Sequence, residues 1–182
     1  LHCTSGYLPM QFMASGSNQR SDAYGGDAKG RVRFAKEVIE AMATAIGAGR
    51  VGFRLCPGNP YNDIDDRDPA ETAAALCEAV ASLDLAYLHI MRSPLADLDA
   101  FALARRHSPH ALILNDGFDG LSASAALASG EGAAVSFGRH FIANPDLVAR
   151  LQQGGPFNEP DNKTFYGGGA EGYTDYPALQ AA

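Results

Sequence analysis

Gly138 and Arg139 are the residues best suited to bind an anion, and they follow a short apolar run, residues 133–137. A run of that length predicts a buried strand, and Asn144 or Asp146 could cap a helix after it. Glycine lets the backbone approach an anion closely, N–H groups at a helix start point toward it, and arginine adds a planar fork of donors. The pattern therefore predicts a phosphate site. The alternative is a strand–helix turn whose arginine forms a surface salt bridge.

Polar residues also accompany the other predicted strands. Arg54, Asn115 and Asp116 stand near the ends of two further apolar runs, and His89 stands near the end of a third. The carboxyl ends of strands form the functional edge both of open doubly wound sheets and of (βα)8 barrels, so their position alone fits either fold. His89 is interpreted as a histidine of the core or of a barrel interior and not as a catalytic group.

Strands and helices alternate along the chain, which predicts βαβ units and a parallel sheet in one domain, residues 1–182. Glycine turns follow the last two strands, and barrels often bind phosphate after their seventh and eighth strands. Counting backward places the end of a fourth strand before His2. The predicted strands cover residues 51–56, 85–90, 111–114 and 133–137, and the predicted helices cover residues 28–45, 69–82, 98–107, 121–128 and 145–153. The expected fold is the second half of a TIM (βα)8 barrel.

The amino-acid composition argues against some classes of function. The 182 residues are 46% hydrophobic and carry a formal net charge of −7, which argues against a nucleic-acid partner because phosphate backbones bind clustered Lys and Arg. No apolar run approaches the roughly 18 residues of a membrane span. Cys3, Cys56 and Cys77 lack paired spacing, which is typical of a reducing compartment and predicts a cytoplasmic protein. The aspartates within residues 63–68 are interpreted as a solvated acidic loop, not a metal site.

Several segments together carry a family resemblance. They are His2 with residues 6–8 and 11–12, and residues 17–26, 31–34, 51–55, 133–146 and 164–177. In this order and spacing they resemble the carboxyl-terminal half of the Old Yellow Enzyme family of flavin-dependent ene reductases. The resemblance implies a TIM barrel, non-covalent FMN, NAD(P)H as hydride donor and an activated alkene, such as an α,β-unsaturated carbonyl compound, as substrate.

The resemblance implies substrate roles near the amino end. Tyr7 matches the tyrosine that protonates the substrate α-carbon after hydride from reduced flavin reaches the β-carbon, and a phenol stays protonated at neutral pH. His2 matches one of two side chains that hydrogen-bond the substrate carbonyl. The second is normally Asn or His and here is Ser5, whose shorter hydroxyl implies a deeper substrate, a bridging water or weaker activation. Nitro compounds and nitrate esters therefore stay open as substrates.

The resemblance also implies cofactor contacts. Arg54 matches the arginine beside flavin N1 and the C2 oxygen, where a permanent cation stabilises the reduced, anionic ring. The alternative for Arg54 is a buried ion pair. Phe165 and Tyr166 match aromatic residues that flank the dimethylbenzene edge of the flavin and the substrate entrance, and the alternative for them is ordinary C-terminal packing. Asn115, at a strand end, is also expected to contact the cofactor.

The expected phosphate site joins two turns. Gly117, Phe118, Gly138 and Arg139 match the residues that hold the FMN phosphate in the family. Asp116 stands where many relatives have a small residue, commonly Gly. Because a carboxylate beside a phosphate would repel it, the Asp116 side chain is expected to point away and only its backbone to contribute.

The family's first three strands supply groups around flavin N5, the C4 oxygen and the pyrimidine edge, and this chain does not contain them. An open half-barrel exposes the apolar faces of its end strands. A complementary N-terminal half-barrel polypeptide is therefore expected, and the enzyme is expected to act only when it is completed. The alternative is a non-catalytic half-barrel that serves as a structural or binding subunit.

Overall fold

The computed structural model describes residues 1–179, and at its centre lies a parallel sheet of four strands. The strands are β1 (Gly52–Leu55), β2 (Tyr87–Met91), β3 (Leu112–Asn115) and β4 (Ala134–Ser136), and they lie side by side in chain order. A doubly wound sheet reverses its strand order at a switch point, whereas a barrel adds each strand beside the last. The observed order favours the barrel.

Residues 1–3 extend the sheet beyond β1. His2 pairs in parallel with Arg54, the Arg54 N–H donates to the carbonyl of Leu1 at 2.9 Å, and the Cys3 N–H donates to the carbonyl of Arg54 at 3.0 Å. The chain therefore enters the sheet as a strand end next to β1, where the sequence places the end of a fourth barrel strand.

Helices connect the strands. Within residues 1–179 they are α1 (Leu8–Met13), α2 (Ala28–Ile46), α3 (Pro69–Ala79), α4 (Ala100–His107), α5 (Gly120–Ala128), α6 (Arg139–Ala143) and α7 (Leu147–Gln153), with 3-10 turns at Ala48–Arg50 and Tyr61–Asp63. Asp27, Asp99 and Asp119 accept backbone N–H groups at the starts of α2, α4 and α5, which fixes where these helices begin. None of the helices described is long and apolar enough to cross a membrane.

The two faces of the sheet differ in burial. Residues such as Phe53, Leu88, Ile90 and Leu114 are at most 1% exposed and belong to the core cluster that also contains residues of α2, α3 and α4. Full burial of each such side chain contributes about 1.5–3 kcal/mol. The alternate positions are half-buried and include the polar side chains of β1, β2 and β3. The helices therefore cover one face, and the polar residues lie on the other.

Residues 154–179 form an irregular segment held to α6 and α7. Arg150 is 3% exposed and donates to the carbonyls of Pro156 at 2.5 Å and Pro177 at 2.7 Å. The Asn144 side chain accepts from the Asn158 N–H at 2.7 Å. These bonds tie both ends of the segment to the last two helices.

The predicted elements are present, with strand and helix bounds that differ by at most three residues. Two short helices were not predicted. α1 lacks a side-chain cap and follows Tyr7 with Leu8 and Pro9, so it depends on burial of Met10 and Met13. α6 begins at Arg139, directly after Gly138, so the helix predicted from residue 145 is preceded by another. Both are too short for sequence periodicity to reveal.

Candidate functional site

Arg54 on β1 lies at the centre of a polar network on the half-buried face of the sheet. Its Nη1 atom lies 2.7 Å from Nε2 and 2.9 Å from Nδ1 of His89, and its Nη2 atom donates to Oδ1 of Asn115 at 2.9 Å. The register explains the contact with His89, because Arg54 and His89 are direct partners in the pairing of β1 with β2. Three strands therefore position one guanidinium.

The network continues to β4. Nε2 of His89 lies 2.7 Å from the hydroxyl oxygen of Ser136, and the Asn115 side chain donates to the Ser136 carbonyl at 3.0 Å. With its proton on Nε2, the imidazole donates to Ser136 and its Nδ1 can accept from Arg54. The polar side chains thus form a continuous chain of hydrogen bonds across all four strands.

The network carries a positive charge without an acidic partner. Among residues 1–179 no carboxylate lies within 4.0 Å of the Arg54 guanidinium, which rules out the buried ion pair within the described part of the chain. Burial, then the charge of Arg54, lowers the pKa of His89 to about 4, so the imidazole is neutral at pH 7. A half-buried guanidinium whose hydrogen-bond partners are neutral can pair with an anion, and the donor set therefore fits the electron-rich edge of a reduced flavin ring.

A second cluster of charged residues surrounds the turn after β3 and contains Asp116, Arg92 and Arg139. Asp116 and Gly117 have left-handed φ values of +77° and +74°, and Oδ1 of Asp116 lies 3.4 Å from Nη2 of Arg139. Nε of Arg92 lies 3.4 Å from the Asp116 carbonyl oxygen. A Cβ built at Gly138 would meet no atom within 4 Å, so the backbone there is open to a ligand. The two predicted phosphate turns are therefore adjacent, as the sequence led us to expect.

The Asp116 side chain does not point away from the predicted phosphate site. It faces Arg139, which contradicts the expectation that only its backbone takes part. The cause is electrostatic, since the carboxylate at a left-handed turn is directed toward the nearest guanidinium. Phe118 is 8% exposed and stacks on Phe101 with ring centroids 5.8 Å apart, so its side chain belongs to the core and its backbone remains for ligand contact.

His2 and Tyr7 form a pair next to β1, at the edge of the sheet away from β4. Their ring centroids lie 5.3 Å apart at an interplanar angle of 55°, and Tyr7 is 57% exposed. Burial, then the charge of Arg54, lowers the pKa of His2, so this imidazole is also neutral at pH 7. The side chains present neighbouring hydrogen-bond donors to one open surface.

The turn at Ser5 and Gly6 brings these rings together. Ser5 has a left-handed φ of 59°, and its carbonyl accepts from the Asn62 side chain at 2.6 Å. Gly6 has φ +75°, and a Cβ there would lie 2.5 Å from Asn62 Cβ and 2.7 Å from the Tyr61 carbonyl oxygen. Only glycine fits this position, and the chain reverses there between the strand end and α1.

Comparison with known proteins identifies the chain. The model of the NADH:flavin oxidoreductase / NADH oxidase family matches residues 1–158. The chain belongs to this family. A probable flavin mononucleotide-dependent alkene reductase from Leishmania infantum is 42% identical over 183 residues, which cover 98% of this chain and 50% of that protein. The family resemblance found in the sequence is thereby confirmed.

Solved structures of family members confirm the fold. The old yellow enzyme from Trypanosoma cruzi superposes with a TM-score of 0.94 at 35% identity, covering 98% of this chain and 49% of that one. Morphinone reductase in complex with tetrahydroNAD gives a TM-score of 0.91 at 41% identity, with coverage of 98% and 49%. The chain is part of a TIM barrel and spans about half the length of the relatives it matches.

Two residues expected from the family pattern lie apart from the groups described above. Tyr166 is 100% exposed, and Phe165 lies beside it in a turn of the C-terminal segment. No hydrogen bond or aromatic contact of the described residues joins either ring to Arg54 or to Arg139. Their assignment to the cofactor and substrate stays a prediction.

Sequence reasoning missed the part that His89 and Ser136 play in the network. His89 lies on the interior face, as interpreted, but it also holds Arg54. A signal was available, since Arg54 and His89 occupy equivalent positions in consecutive strands of a barrel. Among the described residues no group of three His, Cys, Asp or Glu side chains could hold a metal ion.

Proposed function

We propose that this chain supplies the flavin- and proton-donor-bearing half of an FMN-dependent, NAD(P)H-dependent ene reductase that reduces activated carbon–carbon double bonds. The observation that carries the proposal is the Arg54 guanidinium, half-buried beside neutral His89 and without a carboxylate among the described residues. Membership of the NADH:flavin oxidoreductase family and the alkene reductase among its relatives support the same assignment.

FMN, when bound, supplies the transfer of hydride from the nicotinamide to the substrate. Arg54 places a permanent positive charge where the ring gathers negative charge, and Asn115 holds the guanidinium in position. The backbone N–H groups of residues 116–118 and 138–139, together with the Arg139 side chain, hold the phosphate.

The substrate binds over the His2 and Tyr7 pair. Neutral His2 donates a hydrogen bond to the carbonyl oxygen of an enone, which lowers the energy of the developing negative charge. Tyr7 holds a proton at its hydroxyl and delivers it to the α-carbon. Ser5 is the second donor to the carbonyl, and Phe165 and Tyr166 border the substrate and the cofactor once the site is complete.

The barrel is completed by a complementary N-terminal half. Among residues 1–179, β4 pairs on one edge only, and the polar face of the sheet is half-buried instead of enclosed. A second half-barrel would cover both the free edge and the polar face. We propose a cytoplasmic location for the assembled enzyme, since the three cysteines are buried free thiols.

The test is flavin content and alkene turnover of the purified chain, alone and combined with a complementary half-barrel taken from a relative. Absorbance near 450 nm, the usual region for bound FMN, and NAD(P)H-dependent reduction of cyclohexenone are the expected results. Flavin without turnover would indicate the non-catalytic binding subunit. Turnover of nitro compounds or nitrate esters but not of cyclohexenone would show that these compounds, and not enones, are the substrate class.

A further inference from the structure

The Asp116 carboxylate pairs with the Arg139 guanidinium of the proposed phosphate site. Its Oδ1 atom lies 3.4 Å from Nη2 of Arg139, and both side chains are solvent-accessible, 42% and 66% exposed. An exposed ion pair of this length is weak and easily broken. Arg139 is therefore held by an internal anion that another anion can displace.

The turn is built to present this carboxylate. Asp116 has a left-handed φ of +77°, a conformation that Asp and Asn tolerate better than most residues, and Gly117 continues it at +74°. Nε of Arg92 lies 3.4 Å from the Asp116 carbonyl oxygen. The cation of Arg92 also lies over the rings of Phe101 and Phe118, at 4.9 and 5.4 Å from their centroids, so the turn rests on packed side chains.

We propose that Asp116 competes with the cofactor phosphate for Arg139 and so weakens the preference of the site for FMN over riboflavin. The proposal rests on the proposed function, since it concerns the same phosphate site. A phosphate dianion can form two hydrogen bonds to a guanidinium and displaces the single contact of Asp116. Riboflavin has no phosphate, so its binding does not require the displacement.

The matched variant is Asp116→Asn, which keeps the size of the side chain and the tolerance for a left-handed backbone while it removes the charge. We expect FMN affinity to rise several-fold at low ionic strength, because the Asp116 carboxylate no longer competes for Arg139, and riboflavin affinity to stay unchanged. The gain should shrink as salt screens the charges.

Two further variants separate competition from simple repulsion. In an Arg139→Gln background the target of the competition is absent, so Asp116→Asn should raise FMN affinity by less than in the parent. Asp84→Asn makes the same change in net charge just before β2, at the opposite end of the sheet from Asp116. It should leave both flavin affinities unaltered.

Inorganic phosphate gives a readout without flavin. We expect millimolar phosphate to raise the thermal midpoint of the Asp116→Asn chain more than that of the parent or of Asp84→Asn. If the parent, combined with the complementary half-barrel, binds neither flavin while phosphate still discriminates in this way, the proposed function is wrong and the competition stands. If FMN binds parent and Asp116→Asn equally well, or phosphate stabilises them equally, the competition is refuted and the proposed function is unaffected.

Discussion

The Nη1 atom of Arg54 lies 2.9 Å from Nδ1 of His89, across paired strands of a parallel sheet. Burial, then the charge of Arg54, lowers the pKa of His89, and the neutral imidazole can accept a hydrogen bond from the guanidinium. The lowered pKa of His89 makes this pair one of the places where acid should destabilise the fold.

Stability should fall as the pH is lowered from about 6.5 to about 4. The pKa of His89 is about 4 in the folded chain and returns to its ordinary 6.5 on unfolding, so in this window the unfolded chain binds the additional proton. Well above pH 6.5 the imidazole is neutral in both states and the effect vanishes. Urea unfolding at pH 7.5, 6.5, 5.5 and 4.5 measures this dependence.

The variant His89→Gln should show a smaller loss of stability over the same window. The dependence should not vanish, because burial also lowers the pKa of His2 and of His110. The polar residues around position 89, which are Arg54, Asn115 and Ser136, are the same in the parent and in His89→Gln. An unaltered pH dependence in His89→Gln would show that His89 is not the group responsible.

Replacement of Arg54 by Gln should make bound flavin harder to reduce. The removed charge lies beside neutral groups, so no neighbour compensates for it. A loss of about 1.4 kcal/mol in stabilising the reduced ring lowers the potential of a two-electron couple by about 30 mV. Arg67→Gln, at an exposed loop arginine, is the control for net charge, and equal potentials in the two variants would contradict the role of Arg54.

Replacement of Tyr7 by Phe should slow alkene reduction about 10²–10⁴-fold, the usual contribution of a positioned proton donor. Reduction of the flavin by NAD(P)H should keep its rate, because that half-reaction needs no proton from Tyr7. Stopped-flow measurement of the two half-reactions separates these effects. Tyr173→Phe removes a hydroxyl from another exposed tyrosine and should alter neither rate.

Ser5→Asn should improve reduction of enones without destabilising the chain. Ser5 has a left-handed φ of 59°, which Asn tolerates better than Ser, and the longer amide brings a donor closer to a carbonyl over His2. We expect kcat/KM for cyclohexenone to rise several-fold, about the effect of one hydrogen bond worth 1 kcal/mol. A stable variant with unchanged or lower kcat/KM would argue against Ser5 as a carbonyl contact.

Replacement of Arg150 by Met should release the C-terminal segment. Arg150 is 3% exposed and bonds Asp146 at 2.5 Å in addition to two backbone carbonyls, so its loss removes three hydrogen bonds that are partly shielded from solvent. We expect a lower unfolding free energy, by about 1–3 kcal/mol for the lost hydrogen bonds, and faster proteolysis within residues 154–179. Arg150→Lys keeps the charge but not the fork of donors, and it should give an intermediate result.

Local patterns in the sequence predicted the strands, most helices and the two glycine turns that we propose bind phosphate, because these depend on residues close together in the chain. The contact of Arg54 with His89 joins residues 35 positions apart. It depends on a register set by the intervening helix, which no local pattern specifies. The direction of the Asp116 side chain was mispredicted for a related reason, since the guanidinium that attracts it follows the next strand.

Gly6 fits beneath the backbone of residues 61–62 with no room for a single additional carbon. Tyr7 is the next residue. The loop after β1, which contains residues 61 and 62, therefore fixes the height of the Tyr7 ring above the sheet. A change in the length of that loop would lift or lower the Tyr7 hydroxyl without altering any residue that touches a substrate. Variation in the loop after β1 therefore offers a route to a new stereochemical preference that leaves the set of reacting side chains intact.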